Sequence, residues 1–212
     1  MNPTDRYDTS GLLEDQYQPG SDGKVLKNFL NITSREEMET VETAELWRAQ
    51  KALLEEVEQD QSFTANDICE MHRLWLGGIY PWAGEYRRVN LSKGGFTFAM
   101  APTIPALMAE FERDQLKRYT PCDVGDRKAI VRALAEVHVE LMLIHPFREG
   151  NGRLGRLLAT LMGLQAGLPL LNFSEMAGRR REEYFAAVRA GLDRDYGQME
   201  RIFSDVIDRS CR

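Results

Sequence analysis

At 212 residues the chain is long enough to bury one sizeable core, and a single domain with one site is the natural expectation. Hydrophobic residues make up 43% and charged residues 28%, ordinary globular usage, and no apolar run approaches bilayer-spanning length, so a membrane role is excluded. The formal net charge of −6 argues against broad contact with a nucleic-acid backbone, so no nucleic-acid partner is expected and any phosphate handling must be local.

The N-terminus carries Asn2, Asp5 and Asp8 and no basic region followed by an apolar stretch, so no secretory signal is visible. The cysteines, Cys69, Cys122 and Cys211, are widely spaced and lack zinc-ligand spacing, which fits a reducing cytoplasm. A cytoplasmic location is expected, with secretion into a host cell by a non-classical route left open. Residues 1–24 are rich in Asp, Gly, Pro, Ser and Gln and read as a mobile N-terminal tail, and residues 25–212 as the folded domain.

Between Val25 and about Val57 apolar residues recur at helical spacing, with Thr33 or Ser34 as N-cap, and two helices are expected. A further helix spans Thr64 to Leu76, and Gly77-Gly78 then turns the chain into Tyr80-Pro81-Trp82-Ala83-Gly84. Arg87 to Ser92 and Phe96 to Met100 alternate around Lys93-Gly94-Gly95, where paired glycines permit the positive φ of a tight hairpin turn. Pro105 to Arg118 and Arg127 to Ile144 are helical in period, the second closed by Pro146 and apolar enough to be the central buried helix. Arg153 to Ala166 continues the pattern to Gly167, and Glu182 to Leu192 and Gln198 to Arg209 form closing helices.

Chemistry concentrates in His145-Pro146-Phe147-Arg148-Glu149-Gly150-Asn151-Gly152-Arg153-Leu154-Gly155-Arg156, a loop between two apolar helices. Gly150 and Gly152 let backbone N–H groups approach a ligand, and a helix starting near Asn151 aims its unpaired amides at the same place, which makes an anion site. Arg153 and Arg156 share one face of the first turn, where cations are unfavourable unless an anion lies between them; a polyphosphate supplies it. Glu149 is the loop's one carboxylate and suits Mg²⁺ shared with phosphate oxygens, and His145 is the local proton acceptor near neutral pH.

These residues resemble the Fic family, whose signature His-x-Phe-x-(Asp/Glu)-Gly-Asn-Gly-Arg-x-x-Arg is satisfied at every specified position. The resemblance extends to Tyr80 to Glu85, to the Lys93-Gly94-Gly95 hairpin and to Val25-Leu26-Lys27-Asn28, covering roughly residues 25–205. It implies an all-α Fic fold, a helical bundle around a central pair of motif helices with a small β-hairpin flap. It further implies a protein adenylyltransferase that moves AMP from ATP to a Ser, Thr or Tyr hydroxyl and releases pyrophosphate. His145 would be the general base and Glu149 the Mg²⁺ ligand. Phe147 would anchor the loop, and Arg148, Gly150, Asn151, Gly152, Arg153 and Arg156 would bind the nucleotide, bordered by Lys93 and Gly94. The protein substrate would dock along the hairpin from Lys93 to Phe98. Gly-Asn-Gly-Arg in the loop, rather than the Ala-Asn-Lys of one branch, points to nucleotide transfer.

Many members carry an inhibitory helix with Ser/Thr-x-x-x-Glu-Gly/Asn. Thr33 to Glu37 fits the first part but is followed by Met38, so a separate small antitoxin, the partner of a toxin, is expected to supply that helix. Two rival readings compete with this one. Gly150-x-Gly152-x-x-Gly155 matches the fingerprint of a dinucleotide-binding oxidoreductase, but no strand directly precedes it and no βαβ series surrounds it. In a catalytically degenerate interaction module, Glu149 would pair with Arg153 and His145 would cap its helix. His72 and His138 read as structural histidines, Trp47, Trp75 and Trp82 as core or hairpin-support aromatics, and Arg179-Arg180-Arg181 as a solvated helix start.

Overall fold

The computed structural model describes residues 11–176 and 180–212; Arg179 and the first ten residues of the expected tail lie outside these. The architecture is a helical bundle with one two-stranded antiparallel hairpin. Its helices are α1 (Arg35–Glu56), α2 (Ala65–Leu76), α3 (Ile104–Phe111), α4 (Lys117–Tyr119), α5 (Arg127–Ile144), α6 (Asn151–Gln165), α7 (Arg181–Ala190) and α8 (Gly197–Ser210).

Helix α5 is the centre, as its apolar periodicity requires: Ile130, Leu134, Val137, Leu141 and Ile144 are buried, and α3, α6, α7 and α8 lie against it. Its start is capped by Asp126, whose carboxylate accepts from Ala129 N at 2.8 Å. The chain leaves α5 after Ile144, where its period ends, through His145, which is left-handed at φ 52° just before Pro146. Helix α6 starts at Asn151, two residues earlier than its apolar pattern shows, because Gly150 at φ +84° forms its N-cap. Gly155 sits where α6 crosses α5: a Cβ there would lie 2.7 Å from Met142 Cε and 3.1 Å from His138 Cε1. That glycine serves helix packing, and the hairpin is the only sheet among the described residues, so the dinucleotide-binding rival has no parallel sheet to rest on.

Several expectations change. Only one helix, α1, occupies residues 25–57, capped by Ser34. Asn28 diverts the segment before it: its Nδ2 donates to Leu26 O and Ile32 O and its Oδ1 accepts from Ile32 N, all at 3.0 Å, so a side chain takes the bonds a helix would make. Residues 11–24, read as part of a mobile tail, pack on the bundle. Tyr17 pairs with Leu26 in an antiparallel bridge, and the buried Glu14 accepts from Arg88 N at 2.6 Å. Glu14 and Arg88 are 74 positions apart, which is why composition does not show this anchoring.

The hairpin strands are shorter than expected, β1 (Ser92–Lys93) and β2 (Phe96–Thr97), with Ser92 opposite Thr97 and Lys93 opposite Phe96. Gly94 (φ +57°) and Gly95 (φ +76°) make the turn. The Pro105 to Arg118 helix is interrupted by a π turn at Glu112–Leu116. Trp75 and Trp82 are buried, whereas Trp47 is 72% exposed and is not a core residue.

Candidate active site

The motif loop is held from three sides before any ligand is considered. Phe147 is fully buried and stacks on the His72 ring at 4.0 Å between centroids. The Asn151 side chain clasps the loop, with Oδ1 accepting from Phe147 N at 2.9 Å and Nδ2 donating to Phe147 O at 2.8 Å. His72 accepts from Gly84 N at Nδ1 (2.8 Å), so its other nitrogen carries the proton and donates to Glu149 O at 3.1 Å. Asn151, which the resemblance places among the nucleotide residues, thus shapes the loop with its side-chain amide.

At the end of α5, His145 Nδ1 lies 3.3 Å from Met142 O, and the ring stacks on Phe98 of the hairpin at 3.8 Å between centroids. The Met142 bond is a local one of the kind the rival interaction-module reading foresaw. Among the described residues no hydrogen bond engages Nε2. Burial, with the charges of Arg87 and Lys93 acting in the same direction, pushes the imidazole down to about 3, so it is neutral at physiological pH.

The two arginines differ. Arg153 Nη2 lies 2.5 Å from Glu42 Oε2 and its guanidinium sits 4.7 Å above the Trp75 ring. Glu42 also accepts from Tyr80 OH at 2.7 Å, and its carbonyl accepts from Trp75 Nε1 at 2.8 Å. The Glu149–Arg153 pair of the rival reading does not form; Glu149 Oε1 accepts from Gly150 N at 3.1 Å instead. Arg156 has no ion-pair partner among the described residues, and burial lowers its pKa. A partly buried guanidinium without a carboxylate is a site waiting for an anion.

A cavity of about 280 Å³ collects Lys93, His145, Glu149, Gly150, Asn151, Gly152, Arg153 and Arg156. Two expected residues are not brought in. Gly94 is at the hairpin tip, and Arg148 faces the other side of the loop, where its Nε donates to Glu14 O at 2.9 Å and it lines a separate cavity with Lys24 and Arg35. The far wall of the main cavity comes from Met176, Tyr184 and Phe185, which the sequence did not single out, and from Arg181, which was read as part of a solvated helix start and instead lines the cavity. Tyr184 OH bonds to His138 Nε2 at 2.9 Å, and Lys93 Nζ and Arg181 Cζ each lie 5.6 Å from the Phe185 ring. Nothing in the local pattern of α7 marks Arg181, Tyr184 and Phe185 as cavity residues, since helical periodicity shows which face is buried and not which cavity it faces.

His72 and His138 are buried, and burial drives both from 6.5 down to about 4. The unfolded chain therefore takes up protons at both below 6.5 while the folded chain does not until about 4. Stability present at neutral pH is lost progressively through that window. Denaturant titrations at pH 7 and pH 5 are expected to differ by about 4 kcal/mol from these two rings, with His145, held down to about 3, adding in the same direction, and equal midpoints would refute the neutral, buried state of the rings.

With this geometry in view, the likeness to known proteins is specific. Residues 62–162, ending in the last turn of α6, match the family model described as the Fic/DOC family. The fold is that of Fic domains. The Bartonella effector Fic domain from Bartonella sp. AR 15-3 superposes with a TM-score of 0.77 at 20% identity, covering 92% of each chain. The BepC protein of Bartonella tribocorum, solved with bound AMPPNP, superposes with a TM-score of 0.74 at 19% identity, covering 92% of this chain and 97% of that one. Among curated relatives, the protein adenylyltransferase Fic of Drosophila ananassae is 25% identical over 205 residues, 96% of this chain and 40% of that protein. The namesake of Aedes aegypti is 29% identical over 159 residues, 73% of this chain and 30% of its own length. The chain thus spans less than half the length of these curated relatives.

Proposed function

We propose that the chain is a Fic-family protein adenylyltransferase that transfers AMP from ATP to a Ser, Thr or Tyr hydroxyl of a protein, with residues 25–212 as the Fic domain and residues 11–24 packed against it. The observation that carries this is the placement of unpaired Arg156 and the α6 N-terminus in one cavity with a neutral imidazole whose Nε2 is unengaged. The amides of α6 and the guanidinium of Arg156 bind the β- and γ-phosphates, with Arg153 held beside them by Glu42. His145 takes the acceptor's proton as the hydroxyl oxygen bonds to the α-phosphorus and the bond to pyrophosphate breaks.

Glu149 is the carboxylate lining this cavity, and among the described residues no group of His, Cys, Asp and Glu could hold a metal unaided. That donor set fits Mg²⁺ brought in with the nucleotide: Glu149 would hold it, and it would offset the charge of the phosphates. Both hairpin strands have an unpaired outer edge, and Ser92, Lys93 and Thr97 are exposed, which supports docking of an extended target segment there. Glu37 is exposed in the first turn of α1 and makes no ion pair among the described residues, which supports an inhibitory helix supplied by a separate antitoxin. No helix among the described residues is long and apolar enough to cross a membrane, in keeping with action in the cytoplasm.

The test is incubation of the chain with ATP labelled at the α-phosphate and Mg²⁺ in a cell lysate. Label is expected to enter protein with the intact chain and to fall at least tenfold with Glu149→Ala. Equal labelling by both would overturn the role of Glu149, and nucleotide binding without labelling would favour a degenerate interaction module. Growth arrest on expression, relieved by a co-encoded partner, tests the antitoxin.

A further inference from the structure

Arg87 is 2% exposed, and among the described residues no carboxylate lies within ion-pair distance of it. Its guanidinium instead donates to backbone carbonyls from three stretches of chain. Nε bonds His145 O at 2.7 Å, Nη1 bonds Val89 O at 2.7 Å, and Nη2 bonds Ala99 O at 2.6 Å and Ile144 O at 3.3 Å. The Arg87 N–H adds a bond to Pro146 O at 2.8 Å.

The acceptors divide into two groups. Ile144 and His145 end α5, where the last carbonyls have no intrahelical partner and the negative end of the helix dipole favours a cation. Val89 and Ala99 lie on the two legs of the hairpin, before β1 and after β2. One planar fork therefore bolts both legs to the end of the helix that presents the imidazole. A lysine carries its three donors on one atom and a glutamine has two, so neither spans these carbonyls.

What the bolt holds is close to the chemistry. Phe98, next to Ala99, stacks on the His145 ring with 14° between planes, and Ala99 N donates to Leu143 O at 3.4 Å. His145 itself is a non-glycine residue at φ 52°, a conformation that persists only where its surroundings over-determine it. Burial lowers the Arg87 pKa, so the guanidinium occupies this position at a desolvation cost that the carbonyl dipoles offset.

We infer that Arg87 is a positioning residue for the transfer, fixing the hairpin that registers the acceptor segment against the imidazole that removes its proton. The inference rests on the proposed function, because it needs an acceptor on the hairpin and a base at His145. Arg87 touches neither nucleotide nor acceptor in this scheme. Loss of the fork leaves the phosphate cradle of α6 intact and lets the acceptor hydroxyl drift relative to Nε2, and a misplacement of about 1 Å lowers rates by roughly a hundredfold.

The test compares the intact chain with Arg87→Lys and Arg87→Gln by thermal melting, by affinity for a non-hydrolysable ATP analogue with Mg²⁺, and by the rate of label transfer from ATP to lysate proteins. Each variant is expected to bind the analogue within about threefold of the intact chain, with an unchanged KM for ATP and a maximal rate reduced roughly 10–100-fold. A folded variant with a maximal rate within twofold of the intact chain overturns the inference. So does affinity that falls in parallel with rate, or failure of both variants to fold, since Arg87 would then act through general stability. If the intact chain itself labels no protein, the proposed function fails, an outcome distinct from labelling that persists unchanged in the variants.

Discussion

His145→Ala is expected to slow label transfer by roughly 10²–10⁴-fold while leaving nucleotide affinity within about threefold, the span a positioned general base contributes. The reasoning starts from the ring's environment. Nδ1 is turned toward Met142 O and one face is covered by Phe98, so the orientation of Nε2 is set before a ligand arrives. With its pKa near 3, the imidazole is neutral and able to accept a proton throughout the physiological range. A base that weak would be poorly matched to an alcohol. The bound polyphosphate changes this, because negative charge nearby favours the imidazolium and raises the pKa during catalysis. The rate should therefore fall as pH drops through the pKa of the nucleotide complex, which should lie above 3. Steady-state rates and calorimetric affinity of the same preparations check both parts. Retention of more than half the activity by His145→Ala would place the base elsewhere.

Gly150→Ala should destabilise the fold by about 2–4 kcal/mol and lower the melting temperature by roughly 10 °C. Two independent costs add at this position. The backbone is left-handed at φ +84°, which a side chain tolerates at about 1 kcal/mol or more. A new Cβ would also lie 2.7 Å from Trp75 Cζ3 and 3.3 Å from Leu76 Cδ1. Trp75 cannot give way freely: it is fully buried, its Nε1 bonds Glu42 O, and its ring underlies Arg153. Displacement there disturbs the Glu42–Arg153 pair and with it the phosphate side of the cavity, so activity should fall alongside stability. Gly152→Ala is the matched comparison, since its nearest neighbour to an added Cβ is the flexible end of Arg156 at 3.6 Å. It is expected to cost less than about 1 kcal/mol. Equal melting temperatures for the two variants would refute the close approach of Gly150 to Trp75.

Both predictions concern a loop whose importance was readable from residue types, whereas the place of each of its side chains was not. Arg148 and Gly94 were grouped with the nucleotide residues, and they lie outside the cavity. Asn151 lines the cavity as expected of a residue beside the phosphates, while its side chain bonds the backbone of Phe147. His72 and His138 were read as structural, and both are buried rings with defined hydrogen-bond partners.

The sequence by itself determined whatever depends on neighbours within a few residues. It marked the buried α5 through its apolar period, the hairpin turn through Gly94-Gly95, and the anion-binding start of α6 through Gly150, Gly152 and two arginines one turn apart. These are backbone conformations and helix faces, and near neighbours dictate both. Only the tertiary structure decided that Glu42 holds Arg153 from 111 positions away, that residues 11–24 close over Arg148, that Arg87 joins hairpin to helix, and that α7 walls the cavity. The reason is physical: a buried charge or donor must find a partner, but which partner it finds depends on how helices pack, and no local pattern of residues records that.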